Sequence, residues 1–167
     1  IVIRYPESGD VKQMQDYINT LSKEQTYIRF QGEQQTFEEE KEYLDGLLKK
    51  IFEKKAVLLL VFSGDKLIAN SQVVLNTHTE RHVGVFGISV AKEYRGKGVG
   101  RILMKNVLME SKKNILGLRI ITLEVYGKNL LAQNLYKKFD FVEYGNLPNG
   151  IFRKGEYEEE ILMYKNI

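Results

Sequence analysis

Cysteine is absent from the 167 residues, which excludes disulfides, a thiolate nucleophile and cysteine-ligated zinc. A reducing compartment suits that composition. Proline occurs only at Pro6 and Pro148, and no Gly/Ser-rich, repeated or low-complexity stretch interrupts the chain. A single domain over residues 1–167 is therefore expected, at a length that buries roughly two-thirds of the unfolded surface. The longest apolar run, Ala56 to Phe62, is far shorter than the about 20 residues of a membrane-spanning helix. The start, Ile1-Val2-Ile3-Arg4-Tyr5, reads as a strand and not as a basic segment leading into an apolar one. No membrane association and a cytoplasmic location follow as expectations. Because Ile1 is not an initiator methionine, the natural chain is expected to be longer by at least one residue. A net charge of +3, from 25 Lys and Arg against 22 Asp and Glu, is small and dispersed, which argues against nucleic acid as a partner. His78 and His82 lie far in sequence from any carboxylate pair, so no metal site is expected.

What is present alternates between strand and helix patterns. Ile1 to Tyr5 reads as a strand, and Asp10 as the cap of a helix carrying Val11, Met14, Ile18 and Leu21 at helical spacing. Thr26 to Gln35 has no clear period and reads as a loop. Thr36 with Glu39 forms a capping box for a second helix, with Phe37, Leu44, Leu47, Leu48 and Ile51 as its buried stripe. Ala56 to Phe62 is a continuous apolar strand, turned by Ser63-Gly64-Asp65-Lys66 into Leu67 to Asn76. His82 to Val90 is another strand, in which Gly84 and Gly87 mark a bulge or a close approach. A helix with Val99, Ile102, Leu103 and Val107 inward, a strand over Leu118 to Val125, a short helix over Asn129 to Lys138, and strands over Phe141 to Tyr144 and Tyr157 to Tyr164 complete the order. The expected architecture is α/β with a sheet of mixed direction.

The stretch from Val90 to Arg101 joins a strand to a helix through Gly96, Gly98 and Gly100 and three cations, Arg95, Lys97 and Arg101. Glycines let the backbone bend sharply and aim several N–H groups at one point, and a helix starting near Gly98 adds its positive end to the same point. This is a phosphate cradle. It is not a Walker loop, since Gly98 and not Ser or Thr follows Lys97, and not a dinucleotide fingerprint, since Arg101 stands where its third glycine belongs.

The motif R-x-x-G-x-G from Arg95 to Gly100 resembles that of the GCN5-related N-acetyltransferase (GNAT) family. A second segment, Leu123-Glu124-Val125 through Asn129, Ala132, Leu135 and Tyr136 to Phe139-Asp140-Phe141, resembles the family's strand, loop and helix, with Asp140 where a glycine usually stands. The two occur in the family's order and separation, over about Val83 to Phe141, and the nearest motif match is to the ribosomal-protein alanine and amino-acid N-acetyltransferases. The resemblance implies a mostly antiparallel sheet with one splayed parallel strand pair and flanking helices, and acetyl-CoA as cofactor.

It also implies roles by position. Pantetheine would lie between the splayed strands along Ile88, Ser89 and Val90. The pyrophosphate would meet Arg95, Gly96, Lys97, Gly98, Val99, Gly100 and Arg101, and Asn129, Ala132 and Tyr136 would complete the cofactor site. Tyr136 is the expected donor to the leaving sulfur. Glu124, twelve residues earlier, is the expected base, although a strand carboxylate holding a lysine is an equal reading. A free tyrosine near 10 protonating a thiolate near 8.5 runs uphill by about 2 kcal/mol, so hydrogen bonding is as credible as full transfer. Phe30 and Glu33 are expected at the acceptor site. The expected activity is acetyl transfer to a primary amine by direct attack in a ternary complex. A protein N-terminus, an amino acid, a polyamine and an aminoglycoside are all open as acceptor, and a homodimer is compatible. A noncatalytic acetyl-CoA-binding module is the alternative.

Overall fold

The computed structural model describes residues 1–167. The chain runs β1 (Val2–Arg4), α1 (Val11–Glu24), α2 (Phe37–Phe52), β2 (Ala56–Ser63), β3 (Lys66–Leu75), β4 (Val83–Val90), α3 (Val99–Asn114), β5 (Ile120–Tyr126), α4 (Leu130–Lys137), β6 (Val142–Arg153) and β7 (Glu156–Asn166). The strands form one sheet in the order β1-β2-β3-β4-β5-β7-β6. All neighbours are antiparallel except β4 and β5, which the crossover through α3 makes parallel. No helix is long and apolar enough to cross a membrane.

The sheet is covered on both faces, and β2 shows why its sequence is apolar without a break. Val57, Leu59 and Val61 enter the core under α3 and α4, whereas Leu58, Leu60 and Phe62 enter the core under α1 and α2. A strand buried on two sides has no polar alternation to display. α3 anchors the first core through Leu103, Met104 and Val107, all fully buried, each contributing about 1.5–3 kcal/mol of apolar burial. Ile102, expected inward, is 57% exposed. Met104, on the opposite edge of the stripe, is fully buried instead.

α2 begins as expected, with Thr36 accepting from the Glu39 N–H and the Glu39 carboxylate accepting from the Thr36 N–H. Its stripe is narrower than expected: Leu44 and Leu47 are buried, Phe37 is exposed, and Glu40 is buried instead. Asp10 precedes α1 but makes no side-chain cap. Its carboxylate accepts two bonds from Arg4, at 2.8 and 2.7 Å, and one from the Glu7 N–H at 2.7 Å, which ties β1 to the helix start. Of the two readings of the β4 glycines, a bulge or a close approach, the pairing of β4 with β3 shows no bulge. Register shifts lie in β2, between Val61 and Phe62, and in β6. Gly84 instead permits a close approach, since a Cβ there would stand 2.6 Å from Val73 Cγ1. β6 runs far past Tyr144, because Pro148, Asn149 and Gly150 fall in its irregular stretch and do not end it.

Candidate active site

β4 and β5 pair only at Val83↔Ile120, Gly84↔Ile121 and Val85↔Thr122, although both strands continue, to Val90 and to Tyr126. Beyond those three pairs they part, as the family resemblance implies. Strand alternation fixes which main-chain groups face the gap. The His82 carbonyl accepts from Arg119 and Ile120 on the β5 side, and the Val83 carbonyl accepts from Asn76 on the β3 side. Even-numbered residues therefore point at β5, and the N–H and C=O of Ile88 lie on the open edge. The Val90 carbonyl on that edge accepts from Arg95 Nε at 2.8 Å. Ser89 faces the other way: its hydroxyl meets Tyr17 Oη at 2.9 Å and donates to Asn70 Oδ1 at 3.1 Å. Of the three residues expected along the gap, Ile88 and Val90 present backbone to it and Ser89 does not.

The open edge leads, through a short turn over Lys92–Tyr94, to the start of α3. Gly96 at φ 72 and Gly98 at φ 84 adopt left-handed conformations that glycine takes without steric cost. The first helical bond is from the Ile102 N–H to the Gly98 carbonyl, and no side chain caps this end. Six consecutive N–H groups, Gly96 through Arg101, thus have no acceptor within the chain. At a helix start such a run of donors favours an anion. Lys97 and Arg101 are exposed beside it, and neither forms an ion pair. Arg95 is placed differently. Its guanidinium is spent on the Val90 carbonyl and on Glu24 Oε2, also at 2.8 Å, so it braces the bend against α1 and does not project with the other two cations.

Two side chains flank the gap from opposite faces. Tyr136 of α4 packs edge-on to Phe86, centroids 5.8 Å apart, and against Phe141. Burial pushes its hydroxyl up to about 12, and that hydroxyl has no hydrogen-bond partner in the chain. Glu124 lies on the α1 side of β5, just beyond the last β4–β5 pair, and accepts from Arg29 Nη2 at 3.1 Å. The lysine partner that the alternative reading required is thus an arginine from the loop before α2. Asn129 caps α4, its Oδ1 accepting from the Ala132 N–H at 3.2 Å, and Ala132 packs partly buried on the core beneath.

The loop over 26–35 reaches β5 through residues the sequence did not single out for the site. Tyr27 stacks edge-on to Tyr126 at 5.6 Å. Arg153 lies 4.3 Å over the Tyr27 ring and donates to the buried Glu158 at 3.1 Å, clamping the β6–β7 hairpin to that loop. Glu160 stands beside Tyr126 across β5 and β7. Burial, followed by the charge of Glu124, raises its carboxyl. Glu33, by contrast, spends its carboxylate on backbone N–H groups of its own loop, which lowers it, and Phe30 is half-buried in that loop. Tyr27 and Arg29 are loop side chains that contact β5, at Tyr126 and Glu124. No cluster of three His, Asp or Glu suited to a metal occurs.

Comparison with known proteins agrees with this geometry. The model of the acetyltransferase (GNAT) family matches residues 16–141. A spermidine N(1)-acetyltransferase of Vibrio cholerae is 26% identical over 166 residues, 98% of this chain and 91% of that protein. A GNAT-family acetyltransferase from Streptococcus pneumoniae superposes with a TM-score of 0.90 at 26% identity, covering 99% of each chain. A phosphinothricin acetyltransferase from Sinorhizobium meliloti, solved with acetyl-CoA, shares the fold with a TM-score of 0.83 at 14% identity, covering 99% of this chain and 88% of that one.

Proposed function

Since the chain belongs to the acetyltransferase (GNAT) family and is an acetyl-CoA-dependent N-acetyltransferase, we propose that residues 1–167 act as one transferase unit in which a primary amine attacks the thioester directly, within a ternary complex. The observation that carries this reading is the run of six unpartnered N–H groups at the foot of a parted parallel strand pair. The N–H groups of Gly96 to Arg101 hold the diphosphate, with Lys97 and Arg101 adding charge attraction. The backbone of Ile88 and the Val90 N–H receive the pantetheine amides as an added strand would. Asn129 and Ala132 border that path at the start of α4. Arg95 serves as a positioning residue: by occupying the Val90 carbonyl and Glu24 it fixes the angle between the open edge and the cradle.

Bound acetyl-CoA supplies an acetyl group activated as a thioester. The amine nitrogen forms the new C–N bond as the C–S bond breaks. Glu124 takes the proton that the nitrogen loses. Tyr136 donates a hydrogen bond to the sulfur as it becomes a thiolate. Most of the rate comes from holding the two reactants together, with proton handling adding about 10² to 10⁴. An amine panel of peptides, amino acids and polyamines, assayed with purified protein and acetyl-CoA by mass detection of the acetylated product, tests the reading. Acetylation of at least one class is expected. Tight acetyl-CoA binding with no transfer to any amine would leave only a binding module.

A further inference from the structure

The acceptor side of the gap already holds a cation belonging to the chain. Arg29 meets Glu124 through one nitrogen at 3.1 Å, and its side chain is 88% exposed, against 49% for Glu124. A single solvated contact of this kind adds little to folding, so it opens without disturbing the rest. The backbone that carries Arg29 is fixed by comparison. Gln31 Nε2 donates to the carbonyls of Thr26, Ile28 and Phe30, and the Ser22 hydroxyl donates to the Glu33 carbonyl at 2.6 Å. A pinned loop thus presents an exposed guanidinium to the carboxylate beside the gap.

A second carboxylate stands close to the first. The register Glu124↔Leu162 and Tyr126↔Glu160 sets Glu124, Tyr126 and Glu160 on one face of neighbouring strands, with the two acids on a diagonal that long side chains span. Glu160 is raised by burial and then by Glu124, while Arg29 acts on it in the opposite sense. Arg29, paired with Glu124, thus lies near a second acid and an aromatic ring on the same face.

We propose that Arg29 is a displaceable stand-in for the acceptor: its guanidinium holds the place near Glu124 and Glu160 that a cationic group of the acceptor takes, which makes Glu160 a specificity-determining residue and favours diamines and polyamines. This rests on the transferase reading above. Once Arg29 swings out, an attacking nitrogen that has lost its proton leaves both carboxylates uncompensated. A diamine meets this need, because its second, charged nitrogen pairs with Glu160 while the first meets Glu124. An amino acid brings a further carboxylate into the same field and is disfavoured by repulsion.

The test uses the full chain with acetyl-CoA and five acceptors: spermidine, putrescine, n-butylamine, free alanine and an alanine-led peptide. Calorimetry of spermidine binding accompanies the initial rates, for the wild type, Arg29→Ala and Glu160→Gln. The wild type is expected to prefer the two polyamines. Arg29→Ala is expected to lower both KM and Kd for spermidine about two- to fivefold, the size of an exposed ion pair, with acetyl-CoA affinity unchanged. Glu160→Gln is expected to raise both about tenfold and to erase the preference for putrescine over n-butylamine. Weaker spermidine binding by Arg29→Ala, or a wild type that treats putrescine and n-butylamine alike, overturns the proposal. Preferred acetylation of alanine or the peptide overturns it while leaving the transferase reading intact. No transfer to any of the five, with normal acetyl-CoA binding, overturns both.

Discussion

On the proposed reading, Tyr136 sets how the departing sulfur is handled. Its hydroxyl is raised to about 12 by burial, so full proton transfer to a thiolate near 8.5 runs uphill by about 5 kcal/mol, compared with about 2 for an unperturbed tyrosine. Hydrogen-bond donation is the role this environment favours. Tyr136→Phe is expected to lower kcat about 10²-fold while leaving acetyl-CoA affinity nearly unchanged, measured by initial rates and calorimetry. Equal turnover would remove the hydroxyl from the chemistry. Arg95 and Lys97 differ in a way that salt reveals. Lys97→Ala is expected to flatten the dependence of coenzyme A affinity on ionic strength, because an exposed charge attraction is lost. Arg95→Gln is expected to weaken affinity without changing that slope, because the guanidinium is already committed to Val90 and Glu24.

The bend between β4 and α3 depends on two residues with positive φ. Gly98→Ala strains the backbone at φ 84 and is expected to cost about 1 kcal/mol of stability, with a larger loss in coenzyme A affinity, since the strain is relieved by turning the donors away. Denaturant midpoints and calorimetry separate the two effects. The start of α1 depends on Arg4 and Asp10. Arg4 holds the Asp10 carboxyl below its ordinary range, so this pair stabilises the fold above the ordinary carboxylate pKa, and the contribution fades as pH falls through the lower folded value. Asp10→Asn is expected to cost about 1 kcal/mol at neutral pH, with the difference shrinking below about pH 4. Unfolding curves across pH check this, and a constant difference down to the lowest pH would contradict it. Such bends and helix starts differ in how far the sequence announces them. Thr36 with Glu39, and Gly96 with Gly98, were legible because each device is complete within a few residues. Asp10 was legible as a helix start and not as a clamp, because Arg4 reaches it from β1. Ile102 and Met104 were indistinguishable by period, and only contact with the sheet separated them.

The sheet as a whole brings together what sequence distance hides. The cradle was legible in one segment, while the placing of Glu124 with Tyr136 and the parting of β4 from β5 were implied by the family resemblance. The acceptor side could not be read in this way. Arg29 meets Glu124 across 95 residues, and Arg153 reaches the Gln25 carbonyl across 128, so no local pattern announces either. Ser89 shows the complementary failure: a motif position marks the strand, but pleat direction decides which of its residues look into the gap. The proposed reaction depends on the donors that α3 presents at its start. Amide spectra of isotope-labelled protein, recorded during addition of coenzyme A, test this most directly. The signals of Gly96 through Arg101 are expected to move together and to saturate. Binding that shifts other amides and leaves these six in place, or no shift anywhere, would contradict the account.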